Sequence, residues 1–199
     1  MTSPERLRVG MIGAGGRWGP WAHVPALTQL PETELYAVCT AHADTAQAAA
    51  DKYDVKHAYS DVKTMGQDSG LDAALVAVRV PAHYAIAKDA IEAGKHVYCE
   101  WPLGATTQEA EALAALARAK GVKTMVGLQR QASPAYMYMR ELIKEGYVGE
   151  MLAVNVTQFT SGVLTRTADR TWQRDVKLGA KDRKSTRLNS SHVALSRMP

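Results

Sequence analysis

A glycine-rich stretch near the start of the chain has the residue types of a phosphate-binding turn. Met11–Gly19 reads MIGAGGRWG and joins a short apolar run to a helical pattern. The first glycine allows a tight turn, the second lets the backbone approach a phosphate, and the free N–H groups at the helix start face the anion. The third glycine of the G-x-G-x-x-G pattern falls at Trp18, between Gly16 and Gly19. The pattern predicts that a dinucleotide cofactor contacts Gly13, Ala14, Gly15, Gly16, Arg17 and Trp18. The alternative is a glycine-rich turn that binds no ligand.

The end of the second apolar run indicates which cofactor this turn would take. Proteins that bind NAD usually carry an acidic residue there, which holds the ribose 2′-hydroxyl. This chain reads VCTAHAD, with Thr40 and His42 and no carboxylate before Asp44. A 2′-phosphate would therefore not be repelled, and Arg17 at the start of the first helix can pair with one. We predict NADP or NAD as the cofactor, with a preference for NADP; the alternative for Thr40 and His42 is a solvent-facing loop.

Apolar runs and helical patterns alternate over residues 1–130. The predicted strands are Leu7–Gly13, Glu34–Thr40, His57–Tyr59, Leu71–Val78, Lys95–Glu100 and Val122–Gln129. The predicted helices are Trp18–Leu30, Ala43–Tyr53, Ala82–Gly94 and Thr106–Gly121. The last two helices end at glycines, which adopt a left-handed cap at little cost. The alternation predicts an α/β fold for residues 1–130, a doubly wound parallel sheet of the Rossmann type covered by helices on both faces.

The pattern changes after residue 130. Ser133 and Pro134 form a helix start, and the helix is expected to run to Glu145 before Gly146. Residues 150–162 then alternate apolar and polar side chains, which predicts a strand in a second sheet with one solvated face. We interpret residues 131–181 as the incomplete start of a second, C-terminal domain with its own sheet. Residues 182–199 show no periodicity and resemble a translated sequencing adapter, so we expect a non-native tail; the alternative is a genuine disordered C-terminus.

Composition and charge exclude several classes of protein. The chain is 46% hydrophobic and 22% charged, which is ordinary for a soluble globular protein. Of the formal net charge of +4, the last 18 residues carry +3, and no basic stripe interleaved with aromatic residues remains. We therefore expect no direct nucleic-acid binding. No apolar run reaches the ~20 residues of a membrane span, and no signal peptide precedes the first strand, so we expect no membrane contact and a cytoplasmic location.

The two cysteines indicate buried thiols. Cys39 and Cys99 each lie at the end of a predicted buried strand. We expect both to be free thiols in a reducing compartment, and we predict no metal site because two cysteines alone rarely hold a metal.

The stretch Glu92–Leu103 reads EAGKHVYCEWPL, and it is the most specific motif in the chain. Together with the glycine loop and the run VPAHYAIAKDAIEAG, in the same order and spacing, it resembles the Gfo/Idh/MocA oxidoreductases over residues 7–178. The resemblance implies an N-terminal Rossmann domain and a C-terminal α/β domain with a large open sheet, which serves substrate binding and oligomerisation. It also implies NAD(P)-dependent oxidation or reduction of small-molecule sugars, cyclitols and polyols by a homo-oligomer.

Two positions depart from the family pattern. The family usually has Glu-Lys-Pro where this chain has Glu100-Trp101-Pro102, and that lysine helps the substrate hydroxyl lose its proton. An indole carries no charge, so Trp101 can stack in the nicotinamide pocket without replacing the lysine; the alternative is a packing residue. Before His83 the family often reads Thr-Pro-Asn, and here those places hold Val78, Arg79 and Val80. The runs EWPLGATTQEAE and GLQRQASPAYMYMRELIKEGYVGE resemble the branch of the family that includes the yeast galactose-regulon repressor.

The resemblance implies a set of site residues and two hypotheses for function. It places Val78, Arg79, Glu100 and Gln129 in the cofactor site, and it gives catalytic positions to Glu100, Trp101 and His83. A histidine and an aspartate of the second domain would complete the catalytic site. The first hypothesis is an NAD(P)-dependent oxidoreductase whose complete protein acts on a sugar or polyol, with the present fragment inactive. The alternative is a non-catalytic NAD(P)-binding regulator, because Trp101 replaces the lysine. We expect structural roles for the remaining histidines, including His23 and His96.

Overall fold

The computed structural model describes residues 6–157. By their internal contacts the residues divide into two units, one ending at Gly127 and the other beginning at Leu128. The predicted tail and the end of the second predicted domain lie outside the described residues.

The first unit contains a six-stranded sheet in the order β3-β2-β1-β4-β5-β6. Its strands are β1 (Leu7–Ile12), β2 (Thr33–Cys39), β3 (His57–Tyr59), β4 (Ala73–Val76), β5 (His96–Glu100) and β6 (Thr124–Gly127). All five neighbouring pairs are parallel. The chain moves outward from β1 to β3 and then returns to build the other half from β4. This order is that of the Rossmann fold, so the predicted fold class is confirmed.

Helices cover both faces of the sheet. They are a π-helix (Gly19–His23), α1 (Val24–Gln29), α2 (Ala43–Tyr53), α3 (Val62–Gln67), α4 (His83–Glu92) and α5 (Thr107–Lys120), with a 3₁₀ turn at Val80–Ala82. Residues of α1 and α2 pack in one apolar cluster with β1, β2 and β4. Residues of α3, α4 and α5 pack in a second cluster on the other face. The central strands β1, β2 and β4 are mostly buried between the two layers, which explains why they read as continuous apolar runs.

Capping residues and glycines in the sequence predicted most of the helix ends. Thr106 caps α5 by accepting a hydrogen bond from the backbone N–H of Glu109 at 3.2 Å, and the Glu109 carboxylate accepts one from the N–H of Ala105 at 2.6 Å. Gly94 and Gly121 end their helices with φ of 76° and 67°. The sequence analysis missed α3, a helix of only six residues capped by the Asp61 carboxylate. Such a short helix contains less than two full periods of an apolar pattern.

Both cysteines are free and buried, as the sequence predicted. Burial raises the pKa of the Cys39 thiol to about 11 and that of Cys99 to about 12. The cause is the loss of solvation that a thiolate would suffer in the apolar interior. Within residues 6–157, no group of three or more potential ligands could hold a metal ion, and no helix is long and apolar enough to cross a membrane.

The described part of the second unit holds a 3₁₀ helix (Gln129–Ala132) and α6 (Pro134–Lys144). The helix starts after Ser133 as predicted, and Gly146 follows it with φ of 78°. The predicted strand from residue 150 is wrong as far as residue 157, because that stretch has no strand pairing. Its apolar side chains at positions 152, 154 and 156 are exposed. Alternation alone does not make a strand, since a strand needs a neighbour for its backbone hydrogen bonds.

Candidate functional site

The carboxyl ends of four strands meet at one edge of the sheet. The register pairs Ile12 with Cys39 on one side and with Val76 on the other, and Val76 with Cys99. The residues that follow these four are Gly13, Thr40, Ala77 and Glu100. Parallel strands therefore bring predicted site residues 87 positions apart, from Gly13 to Glu100, to the same edge. In this fold the strand order reverses between β1 and β4, which is where dinucleotides bind.

The glycine turn after β1 has the conformation that its sequence predicts. Gly13 has φ of +96°, and its N–H donates to the Cys39 carbonyl at 2.9 Å. A Cβ at Gly13 would overlap the backbone carbonyl of Ala77, so only glycine fits. The N–H of Gly16 donates back to the Gly13 carbonyl at 2.9 Å and closes the turn. Gly15, Gly16 and Arg17 are exposed, whereas the side chain of Ala14 is buried in the core.

The helix that follows opens with a π turn instead of an α turn. Three residues separate Gly15 from Gly19, one more than in G-x-G-x-x-G, and a π turn holds the additional residue. A Cβ on Gly19 would overlap the Met11 side chain. Gly19 thus allows the close packing of helix on strand that the third glycine of the pattern provides. Trp18 is 48% exposed, and its ring centroid lies 5.2 Å from that of Trp21.

The loop after β2 is held by hydroxyl groups. The Thr40 hydroxyl donates to the His42 carbonyl at 2.9 Å and lies 2.6 Å from the Thr45 hydroxyl. Thr45 also donates to the His42 carbonyl at 2.9 Å. The Asp44 carboxylate accepts from the N–H of Thr45 at 2.8 Å, inside the first turn of α2. The sequence analysis did not single out Thr45, although a threonine in the first helical turn is a common local hydrogen-bonding residue.

The imidazole of His83 connects the loops after β4 and β5. Its Nε2 lies 3.0 Å from the Val78 carbonyl oxygen, and its Nδ1 lies 2.7 Å from the Pro102 carbonyl oxygen. The residue is 1% exposed. Both ring nitrogens therefore face backbone oxygens inside the protein, and a catalytic role for His83 stays a prediction. Arg79, which caps the 3₁₀ turn, is exposed.

A carboxylate that is mostly, but not fully, buried lies at the end of β5. Oε1 of Glu100 lies 2.7 Å from Nε2 of His23, and their side chains are only 14% and 10% exposed. The Tyr98 hydroxyl lies 3.5 Å from the same oxygen, and the Tyr98 ring packs edge-on against His23 with centroids 5.3 Å apart. The next residue, Trp101, is 49% exposed and precedes Pro102 through a cis peptide bond. The sequence analysis gave His23 a structural role only; a polar residue on the buried face of the first helix was the available signal.

Gln129 belongs to the second unit. It is exposed and begins the 3₁₀ helix that precedes α6. Its assignment to the cofactor site stays a prediction.

Comparison with known proteins agrees with this architecture. Residues 7–128 match a family described as an oxidoreductase family with an NAD-binding Rossmann fold, Gfo/Idh/MocA. The chain belongs to the Gfo/Idh/MocA family. The match includes the glycine turn, the His83 loop and the Glu100 region. These are the segments on which the sequence resemblance depended.

Similar proteins include both dehydrogenases and a regulator. The chain is 34% identical over 184 residues to the dehydrogenase AclE of Aspergillus oryzae, covering 88% of this chain and 50% of that protein. It is 26% identical over 161 residues to the galactose/lactose metabolism regulatory protein GAL80 of Saccharomyces cerevisiae, covering 75% of this chain and 37% of that protein.

A solved structure shows the same fold. This is the 3-ketoreductase KijD10 of Actinomadura kijaniata in complex with TDP-benzene and NADP, with a TM-score of 0.69 and 27% identity over 75% of this chain and 46% of that one. The chain spans about half the length of the curated relatives it matches, or somewhat less.

Proposed function

We propose that this Gfo/Idh/MocA chain is the cofactor-binding part of an NAD(P)-dependent oxidoreductase whose complete protein acts on a sugar or polyol. When bound, the reduced cofactor would donate a hydride to the substrate carbon, and the oxidised cofactor would accept one from it. The observation that carries the proposal is the glycine turn Gly13–Gly19 at the edge where the strand order reverses. There, backbone N–H groups and a helix start are available to a pyrophosphate.

The proposed preference for NADP depends on the loop after β2. The hydroxyls of Thr40 and Thr45 turn inward to the His42 carbonyl, so the loop is kept in shape by neutral groups. The first carboxylate, Asp44, accepts a hydrogen bond from the N–H of Thr45. A 2′-phosphate would meet no anion at positions 40–42, and the exposed Arg17 and His42 can approach it. The NADP named in the KijD10 complex is consistent with this preference.

The predicted catalytic residues of this chain are poorly suited to proton transfer. Glu100 is held by His23, the His83 ring nitrogens face carbonyls, and Trp101 offers only an indole N–H and an apolar ring. We therefore propose that these residues shape the nicotinamide side, and that acid–base groups come from the second domain of the complete protein. On this basis the fragment alone binds cofactor without turnover. From the family resemblance we further propose that the complete protein is a cytoplasmic homo-oligomer with a small-molecule substrate.

Calorimetric titration of the chain with NADPH and with NADH tests the cofactor proposal. We expect NADPH to bind more tightly, and Thr40→Asp to weaken NADPH roughly tenfold or more because a new carboxylate would face the 2′-phosphate. Thr28→Asp, an exposed change in α1, is the matched control for added charge and should leave both affinities unchanged. Equal affinities that Thr40→Asp does not alter would remove the NADP preference, and absence of binding by either cofactor would remove the proposed function.

A non-catalytic regulator is the second candidate. Trp101 in place of the lysine and the similarity to GAL80 favour it. The discriminating variant is Trp101→Lys in the complete protein. An enzyme should reduce a carbonyl sugar with NADPH before the change and faster after it, whereas a regulator should stay inactive with either residue and still capture its protein partner.

A further inference from the structure

The carboxylate of Glu100 is enclosed by three separate elements. His23 of the π-helix lies 2.7 Å from its Oε1, and Tyr98 of β5 lies 3.5 Å from the same atom. On the β6 side, a Cβ added to Gly127 would come within 2.8 Å of both Glu100 Oε1 and the Tyr98 hydroxyl. The Glu100 carboxylate therefore has little space to change position. At position 127 only a glycine avoids contact with this carboxylate, because any side chain would begin with a Cβ too close to it.

Burying the Glu100 carboxylate in this way lowers the stability of the fold, which indicates that the carboxylate has a function. A carboxylate that is 14% exposed loses most of its solvation, and its contact with an imidazole that is itself buried offsets that loss only where the geometry is good. An apolar residue at position 100 would fill the same space without the cost. Buried polar groups that are tightly oriented in this way are typical of sites where geometry matters more than stability.

The position of the pair in the sheet indicates which part of a dinucleotide it faces. Strand β1, with the glycine turn, has β2 on one side and β4 followed by β5 on the other. In the Rossmann arrangement the adenosine half extends over the β2 side, and the other half extends over the β4 side. Glu100 ends β5, so it lies on the half away from Thr40. His23 reaches it from the helix that begins at the phosphate turn, across 77 residues of sequence.

We propose that His23 and Tyr98 are positioning residues that hold the Glu100 carboxylate on the nicotinamide side of the site, where it accepts a hydrogen bond from an O–H or N–H group of the nicotinamide half of the cofactor. This inference rests on the proposed dinucleotide binding. His23 is the last residue of the π-helix that follows the glycine turn. The pair thereby connects the phosphate-binding helix with the nicotinamide side.

The test compares two ligands that share the adenosine half. NADPH and adenosine 2′,5′-bisphosphate are titrated calorimetrically into the 199-residue chain and into its His23→Leu, His23→Gln and His96→Leu variants. His23→Leu should weaken NADPH about tenfold, the order of magnitude for losing one charge-assisted hydrogen bond. The affinity for the bisphosphate should change less than twofold. His23→Gln should keep most of the NADPH affinity, since its amide N–H can still donate to Glu100.

The matched control lies on the same strand as Glu100. His96 begins β5 at the opposite edge of the sheet, and its Nδ1 accepts from the N–H of Lys123 at 3.1 Å. His96→Leu should leave both affinities unchanged. If His23→Leu does not fold, Gly127→Ala replaces it, because the new methyl group displaces the same carboxylate.

Each contrary result has a distinct meaning. Equal weakening of both ligands by His23→Leu, or no weakening of either, overturns the positioning role while leaving the cofactor site in place. Loss of NADPH affinity in His23→Gln as large as in His23→Leu also overturns it. Failure of the unaltered chain to bind either ligand removes the proposed function itself. If NADH binds more tightly than NADPH, the pair NADH and ADP serves for the same comparison.

Discussion

Replacing Gly13 by alanine should damage the protein more than the same replacement at Gly94. Both glycines have positive φ, +96° and +76°, a region that costs an alanine about 1–2 kcal/mol. Around Gly94 a Cβ meets nothing within 4 Å, so backbone strain is the whole penalty there. At Gly13 the Cβ would overlap the Ala77 carbonyl, a backbone atom that cannot rotate away. We expect this overlap to add roughly 1–3 kcal/mol, the usual range for overpacking.

The difference is measurable by thermal unfolding. For a domain of this size, 1 kcal/mol corresponds to about 2–4 °C in Tm, so Gly94→Ala should lower Tm by roughly 2–8 °C and Gly13→Ala by roughly 4–20 °C. Only Gly13→Ala should also weaken NADPH, by about tenfold or more, because separating β1 from β4 moves the phosphate turn.

Equal Tm values for the two variants would refute the reasoning. Since Gly94 controls for strain alone, equality would mean that the overlap with Ala77 is relieved without cost. A Gly13→Ala variant that is destabilised yet binds NADPH normally would show that the turn does not hold the cofactor.

Three further predictions concern stability and reactivity. Hydrogen bonds from Arg8 hold the pKa of Asp72 below its usual range, so the stability they contribute is present above about pH 4 and is lost as the pH falls below it. Asp72→Asn should therefore lower Tm at neutral pH and flatten its decline in acid; an unchanged acid limb would contradict this. The thiols of Cys39 and Cys99 are buried and have raised pKa values, so they should react with a thiol reagent at pH 8 only after denaturation. Rapid labelling of the native chain would show that the apolar cluster around the two cysteines opens in the folded protein. Thr106→Ala should cost about 1 kcal/mol by removing the cap of α5, whereas Thr106→Ser should restore it; equal Tm values for the two variants would exclude a capping role.

The outcomes at particular residues show which features could be predicted. Gly13, Gly94 and Gly121 were identified correctly as turn or cap residues, because each adopts a positive φ that its local sequence demands. Helix α3 was missed and the strand from residue 150 was wrong as far as residue 157, because a short helix lacks a full period and an alternating run is not by itself paired. A catalytic position for His83 stays a prediction, and its contacts with the Val78 and Pro102 carbonyls required coordinates.

By itself the sequence determined the Rossmann fold, the glycine turn, the burial of both cysteines and the membership in an oxidoreductase family. These features depend on periodicity and on residue types that are neighbours along the chain, so short segments of the sequence are enough to predict them. Only the tertiary structure decided that His23 contacts Glu100, that Gly19 takes the packing role of the third glycine, and that Gly127 leaves room for a carboxylate. Those contacts join segments that become neighbours only in the folded chain, once the strand order and the π turn have formed. No local sequence pattern specifies which distant residues come into contact.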